Sequence, residues 1–433
     1  MFELLAGIDV SLLLFGAFAL LLFIGVPIAY ALGAATLIVL YAKGMPGVLM
    51  PQTAYNATNS FPLMAVPFFV LAGYLMQFGG LSRRLIAFAE VLIGNVSGGL
   101  ACVTILACVF FAAISGSGPA TVAAIGAIMI PAMIQRGYSP GFAGAVASTG
   151  GTIGIMIPPS TPMIFYGVAG NVSITDMFMA GILPGLLVSG ALIAVSWWLS
   201  RQNGYGGTGQ TLSRARFMGA LKGATLALLA PVIILGGIYG GVFTPTEASV
   251  VAVAYALVVG GLVYRELSWD DIYRALLHAV VVCGTVTIIV GLAGGFGRVL
   301  TTYQIPQAIG AGLLEITDSW IVLLILIGLT LIVIGTFMET LATIIILTPI
   351  LLPVVTQVGV DPIHFGILLI ITSEISFLTP PLGANLFVAM RISGASLEQV
   401  TMAVLPFIVA LIVMTGLLIV LPQISTFVPT LLR

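Results

Sequence analysis

Residues 148–162 read STGGTIGIMIPPSTP, and residues 372–385 read TSEISFLTPPLGAN. Each holds a Pro-Pro pair inside an otherwise apolar stretch. The second proline pushes the first out of the helical region, so neither stretch can run through as one helix. Pro158-Pro159 and Pro380-Pro381 stand 222 positions apart, and the same shift superimposes more of the chain without a gap. Ala120 and Thr121 fall on Ala342 and Thr343. Pro131, Gln135, Gly137, Pro140 and Gly144 fall on Pro353, Gln357, Gly359, Pro362 and Gly366. These nine coincidences lie within 40 aligned positions, where average composition gives roughly three or four matches by chance. Most are Gly or Pro, the residues that set backbone shape. What repeats is a set of backbone interruptions.

The interruptions sit in a chain built for a membrane. It is 60% hydrophobic and 6% charged, against about 25% charged in soluble domains. Apolar segments lie at 10–42, 62–80, 98–135, 140–168, 176–200, 222–242, 246–264, 276–300, 318–357, 362–390 and 398–430. Most are long enough to span a bilayer. A net charge of −1 leaves no nucleic-acid footprint. Cys102, Cys108 and Cys283 lie in apolar runs without metal-ligand spacing and read as small buried residues. The first residues carry Glu3 and Asp9 and no basic region, unlike a cleaved signal peptide. HExxH, GxSxG and phosphate-loop motifs are missing, as is a paired catalytic set, so an intramembrane enzyme is not expected.

Basic residues orient the segments. The most polar stretch, 201–222, holds Arg201, Arg214, Arg216 and Lys222 and reads as a cytoplasmic linker. Walking back from it, 176–200 crosses out and 140–168 crosses in, which leaves Arg136 cytoplasmic. Segment 98–135 then needs both ends inside, because Arg83 and Arg84 precede it. Broken at Ser115-Gly116-Ser117-Gly118-Pro119, it reads as a helical hairpin that enters and returns. Walking forward, Arg265 and Arg274 land inside, and 318–357, the shifted partner of the first hairpin, starts and ends outside. Its tip falls near residues 335–341. Segment 362–390 crosses in, leaving Arg391 inside. Ten of the 13 Lys and Arg are then cytoplasmic, and Asp176, Glu315, Asp318 and Asp361 lie outside. Equivalent hairpins entering from opposite faces make an inverted repeat. Segment 10–42, with Pro27 near its middle, is either one long crossing or two short ones. Segments 81–95 and 265–275 are candidate amphipathic arms or loops.

The expected fold is an all-α polytopic membrane protein with two re-entrant helical hairpins and two broken transmembrane helices. Residues 1–80 form N-terminal scaffold helices and 81–200 the first repeat. After the linker, 223–300 form the second part of the scaffold and 301–433 the second repeat. Four irregular elements meet the requirements of a transport site: the tips ISGSGPAT (114–121) and IGTFMETLAT (334–343), and the two Pro-Pro crossings. Unpaired carbonyls and neighbouring hydroxyls there can replace water around a sodium ion, and half-helix N-termini attract anions. The competing reading is a kink that only permits tight packing. Among intramembrane charges, Arg298 pairs with a substrate carboxylate or snorkels outward. Glu339 orients the site or accepts a substrate hydroxyl, or else caps a half-helix. Glu374 reads as a packing residue, and His278 and His364 as interfacial.

The hairpin ISGSGPAT, the run GGTIGIMIPPSTPMIFYG, the run GVFTPTEA at 241–248 and FLTPPLGANLFV at 377–388 together resemble the large membrane subunit of TRAP transporters, the DctM-like proteins. The resemblance covers essentially the whole chain. It implies an elevator-type transporter with a scaffold and a moving transport domain, importing an organic acid such as a C4-dicarboxylate or sugar acid on a sodium gradient across the bacterial inner membrane. It implies two partners: a small four-helix membrane subunit and a periplasmic substrate-binding protein. With no small-subunit sequence ahead of residue 1, that subunit is expected to be a separate chain. Carried over by position, one sodium lies at Ser115, Gly154, Ile157 and Pro159, and the second at Gly335, Ser376, Thr379 and Leu382. Ser117, Ser160, Arg298, Glu339 and Asn385 face substrate. The family often has Asp where Glu339 stands. The competing transport reading is a self-sufficient sodium/anion permease with similar inverted hairpins.

Overall fold

A computed structural model describes residues 7–207, 213–317 and 319–432. Glu3, Asp318 and part of the 201–222 linker fall outside these residues. No β-strand occurs among them.

The first repeat is built from five helices: α5 (Leu81–Ile93), α6 (Gly99–Ser115), α7 (Gly118–Gln135), α8 (Pro140–Met156) and α9 (Thr161–Gly170). The second runs through α14 (Ile305–Ile316), α15 (Trp320–Gly335), α16 (Thr340–Gln357), α17 (Pro362–Phe377) and α18 (Ala384–Ser393). The shared Gly and Pro residues now have physical reasons. Gly137 (φ +86°) and Gly359 (φ +82°) stand two residues past the ends of α7 and α16. There the left-handed conformation lets Tyr138 and Val360 donate back to the carbonyls of Met133 and Val355. Pro140 and Pro362 open α8 and α17, where a missing N–H costs nothing. The preceding residues, Ser139 and Asp361, cap those helices through their side chains. Both Pro-Pro bonds are cis, and both break their crossings.

Contacts fix the relative directions of these elements. Gly98, before the first hairpin, donates to the Tyr205 carbonyl at 3.0 Å, and Ser139, after it, donates to the Tyr205 hydroxyl at 3.1 Å. Both ends of α6–α7 therefore meet one residue of the linker, so the hairpin is re-entrant. The start of the first crossing touches the end of the second: a Cβ on Gly144 would lie 3.2 Å from Ser393 Oγ. The end of the first touches the start of the second, where the Tyr166 hydroxyl donates to the Pro362 carbonyl at 2.5 Å. The two crossings are antiparallel, as an inverted repeat requires. The repeats also exchange partners, α9 packing on α16 and α18 on α7.

Outside the repeats lie α1 (Val10–Phe23), α2 (Ile28–Ala42), α3 (Leu49–Thr58) and α4 (Ala65–Phe78), with α10 (Ile174–Gln202). Next come α11 (Arg214–Tyr239), α12 (Pro245–Leu257, ending in a π-turn at Val258–Val263) and α13 (Trp269–Thr302). Last are α19 (Leu397–Val420) and α20 (Gln423–Leu432). Among the described residues eight helices are long and apolar enough to cross a membrane, or up to ten if each bent pair is one span. Arg83 and Arg84 both pair with Glu266, and Arg84 also covers the Tyr264 ring at 3.5 Å. The charge walk places these residues on one face, and the ion pairs require it.

Segment 10–42 takes the second of its two readings, two short helices parted at Pro27. Other sequence expectations change. The linker 201–222 is shorter than expected, because Ser213 caps α11 and the run RARFMGALK continues the helix. Segment 265–275 is not a separate arm. It runs into the 276–300 span as one 34-residue helix, α13, about 51 Å long. The second arm is α14, which the 222 shift places opposite α5. Segment 398–430 splits at Pro422, and α20 folds back over α17. His364 is buried there, not interfacial, with Nδ1 2.6 Å from Ser425 Oγ. His278 stacks on Tyr74.

Candidate functional site

Each hairpin tip is tied to the break beside it. The Thr161 N–H, just after the first Pro-Pro pair, donates to the Gly116 carbonyl at 3.3 Å. The Leu382 N–H, just after the second, donates to the Thr336 carbonyl at 3.0 Å. Near-equivalent bonds therefore close two near-equivalent junctions.

At the first junction the approach is so close that side chains are excluded. A Cβ on Gly116 would lie 2.8 Å from the Pro159 carbonyl, and one on Gly154 would lie 2.8 Å from the Ser117 carbonyl. The Ser117 carbonyl also accepts from Thr121 Oγ1 at 2.8 Å and Ser115 Oγ at 3.3 Å. Ser115, Gly154 and Pro159 thus gather carbonyl and hydroxyl oxygens around one tip. Ile157 sits at the break, its side chain turned towards Gly185. At the second junction a Cβ on Gly335 would lie 2.5 Å from Ser376 Oγ. Ser376 Oγ donates to the Ile332 carbonyl at 2.9 Å, and Thr379 Oγ1 donates to Ile375 at 3.0 Å. Each hydroxyl that donates keeps lone pairs for a cation. Two neutral, oxygen-rich junctions of this kind suit dehydrated sodium, which takes carbonyl ligands from unwound helix ends.

Both tips face one cavity of about 580 Å³. Its opposite wall comes from α2, α4 and α13, with Tyr30, Tyr74, Gln77 and Thr285 as the polar side chains. Ser117 and Glu339 line the cavity. Ser160 and Asn385 are fully buried beside lining residues Thr161 and Ala384, and their polar side-chain atoms have no hydrogen-bond partner. Arg298 is not brought to the site. It is exposed on α13, about a turn from the helix end, and does not line the cavity. The apolar neighbours that made it look buried in the sequence lie on other faces of the helix.

Glu339 resolves as a cap. Its Oε2 accepts from the Leu341 N–H at 3.0 Å and the Ala342 N–H at 3.3 Å. The N-terminus of α16 is therefore already met by a carboxylate, whereas that of α7 has no side-chain cap. Among the described residues no Lys, Arg or His lines the cavity, and its charged lining side chains are Glu339 and Glu374. Thr161, Thr340 and Glu374 are lining residues that sequence reasoning missed or assigned to packing. The first two adjoin candidates, a usable signal. The scaffold wall gave none.

The family model for the Tripartite ATP-independent periplasmic transporter, DctM component, matches residues 15–424. The chain belongs to that family. This DctM-family protein is 47% identical over 423 residues to the isethionate TRAP transporter permease protein DctMQ of Oleidesulfovibrio alaskensis, covering 98% of this chain and 66% of that longer one. It is 35% identical to the C4-dicarboxylate TRAP transporter large permease protein DctM of Rhodobacter capsulatus, over 98% of this chain and 99% of that one. It is 38% identical to the sialic acid TRAP transporter large permease protein SiaM of Vibrio cholerae, over 95% and 96%. The YdaH transporter of Alcanivorax borkumensis shares the fold, with a TM-score of 0.66 at 17% identity over 96% of this chain and 98% of that one. The protein is a multi-pass component of the bacterial inner membrane.

Proposed function

We propose that this DctM-family protein carries an organic acid inward on a sodium gradient, by movement of its transport domain against a fixed scaffold. The observation that carries this is the pair of hydrogen-bonded tip–break junctions, each neutral and oxygen-rich, facing one cavity. The free N-terminus of α7 and the unpartnered hydroxyls of Ser160, Thr161 and Thr340 supply donors for an anionic substrate. Since no cationic side chain among the described residues lines the cavity, bound sodium adds the rest of the balancing charge. The substrates for which these relatives are named, isethionate, C4-dicarboxylates and sialic acid, are all organic acids. A small four-helix membrane subunit and a periplasmic binding protein are the proposed partners. One relative carries the fused designation DctMQ.

Reconstituted with both partners, the protein is expected to import substrate on a sodium gradient with no pH gradient imposed. Uptake that follows a pH gradient and ignores sodium would sink this reading. Uptake independent of the binding protein would favour the self-sufficient permease. Screening ligands of the binding protein identifies the acid.

Thr379→Val keeps the side-chain shape and removes the hydroxyl. The sodium concentration for half-maximal uptake is expected to rise several-fold at normal expression. An unchanged sodium curve would remove Thr379 from the ligand set.

A further inference from the structure

Glu374 belongs to neither junction. It lies on α17, 1% exposed, and both carboxylate oxygens lack a hydrogen-bond partner among the described residues. Across the Pro-Pro break stands Asn385, its neighbouring polar side chain, fully buried and with both amide atoms unpartnered. Asn385 also faces the first repeat. A Cβ on Gly118 would lie 3.1 Å from its Oδ1, and one on Gly151 would lie 3.2 Å from its Nδ2. Thr340 Oγ1, 3% exposed and likewise unpartnered, lines the same cavity as Glu374. The cluster thus lies where the two repeats meet.

The 222 shift sets Glu374 apart. It aligns Glu374 with Thr152 and Glu339 with Ser117, so both carboxylates are additions of the second repeat. Thr152 is satisfied within its own helix, by the Thr149 carbonyl at 2.7 Å. Glu339 is satisfied by the N–H groups of α16. Glu374 has the Asn385 side chain beside it but no cation among the described residues. The charged side chain that acts on it is Glu339, of like sign, and among the described residues no Lys, Arg or His lines the cavity. A carboxylate held in this way inside a membrane protein requires a positive charge of its own.

We propose that Glu374 and Asn385 hold a further coupling sodium ion, in addition to those at the two tip–break junctions. The carboxylate supplies the charge. Asn385 Oδ1 and Thr340 Oγ1 supply neutral oxygens. Placed at the meeting of the repeats and open to the cavity, the cation would bind and leave with each passage of substrate. The inference rests on the cation-coupled reading above.

The test is a stoichiometry in proteoliposomes holding the complete transporter. The reversal potential gives charge moved per substrate, and paired uptake of radiolabelled sodium and substrate gives sodium per substrate. Glu374→Gln is expected to lower the charge moved by one. The sodium ratio falls by one as well. A Gln variant with a wild-type sodium ratio overturns the site. Should that variant bind without transporting, its sodium count is measured in detergent, and a wild-type count overturns the site equally. Glu374→Asp, which keeps the charge on a shorter arm, is expected to keep the ratios and weaken cation dependence several-fold; an unchanged dependence counts against the site. A wild-type protein indifferent to sodium and pH is a different result, and rejects the coupled-transport reading itself.

Discussion

Gly116→Ala is expected to cut sodium-dependent uptake by at least about tenfold, a change of about 1.4 kcal/mol in the working equilibrium, while the protein still inserts and expresses. Gly116 has φ +60°, a conformation that costs an L-residue about 1–2 kcal/mol. The added Cβ would also stand 2.8 Å from the Pro159 carbonyl and 3.4 Å from the Thr161 nitrogen. Both neighbours are backbone atoms and cannot rotate away. The first tip must therefore withdraw from the first break, and the bond from Thr161 to the Gly116 carbonyl is strained or lost. Gly137→Ala is the control. It has φ +86° but nothing within 4 Å of its Cβ position, so it bears the backbone penalty without the contact. Gly335→Ala should fall between them: it carries no left-handed backbone penalty, but its added Cβ would lie 2.5 Å from Ser376 Oγ and 2.7 Å from Ser376 Cβ, and only the hydroxyl can turn away. The measurement is uptake against sodium concentration, with expression and thermal stability alongside. A wild-type sodium curve for Gly116→Ala would show that the tip–break contact is not part of the cation site.

The parts of this fold that were legible in the sequence are those governed by Gly and Pro. Pro158-Pro159, Pro380-Pro381, Gly137 and Gly359 each report a backbone state that other residues rarely adopt, so their positions carry over directly into breaks and caps. The second arm, α14, was missed because the identities that mark it, Ala89 with Ala311 and Leu92 with Leu314, are common apolar residues and neither Gly nor Pro. Its equivalence to α5 lies in the 222 shift and in an apolar and a polar face, and faces need not preserve residues. The start of α13 was readable in principle. Ser268 and Asp271 form a reciprocal capping box ahead of a long apolar run, but Arg274 and His278 resembled a boundary. Arg298 shows the opposite failure. A charge in an apolar segment invites a functional role, yet only packing decides which face of a helix it occupies. The scaffold wall at Tyr30, Tyr74 and Thr285 joins three helices far apart in sequence, and no local pattern brings them together.

Single cysteines at Gln135 and Gln357 are expected to react from opposite sides of the membrane: Gln135 from the cytoplasm and Gln357 from the periplasm. Both positions are exposed and end the second helix of a re-entrant hairpin at residues the 222 shift aligns. Their opposition follows from contacts between the broken crossings. Gly144 near the start of one meets Ser393 at the end of the other, and Tyr166 near the end of the first meets Pro362 at the start of the second. Crossings that pass each other in this way place the loops before them, which follow Gln135 and Gln357, on opposite faces. The reagent must be membrane-impermeant and the background must lack Cys102, Cys108 and Cys283, the last of which is only partly buried. Cysteines at the tips, Ser117 and Thr340, test the motion. Both residues line the cavity between the transport domain and the scaffold, so an elevator displacement must change the side from which they are reached as sodium and substrate are added. Tips whose labelling never responds to either would leave the inverted repeat intact and remove the elevator. Gln135 and Gln357 labelled from one side would overturn both, since the elevator reading rests on exchange between two inverted repeats.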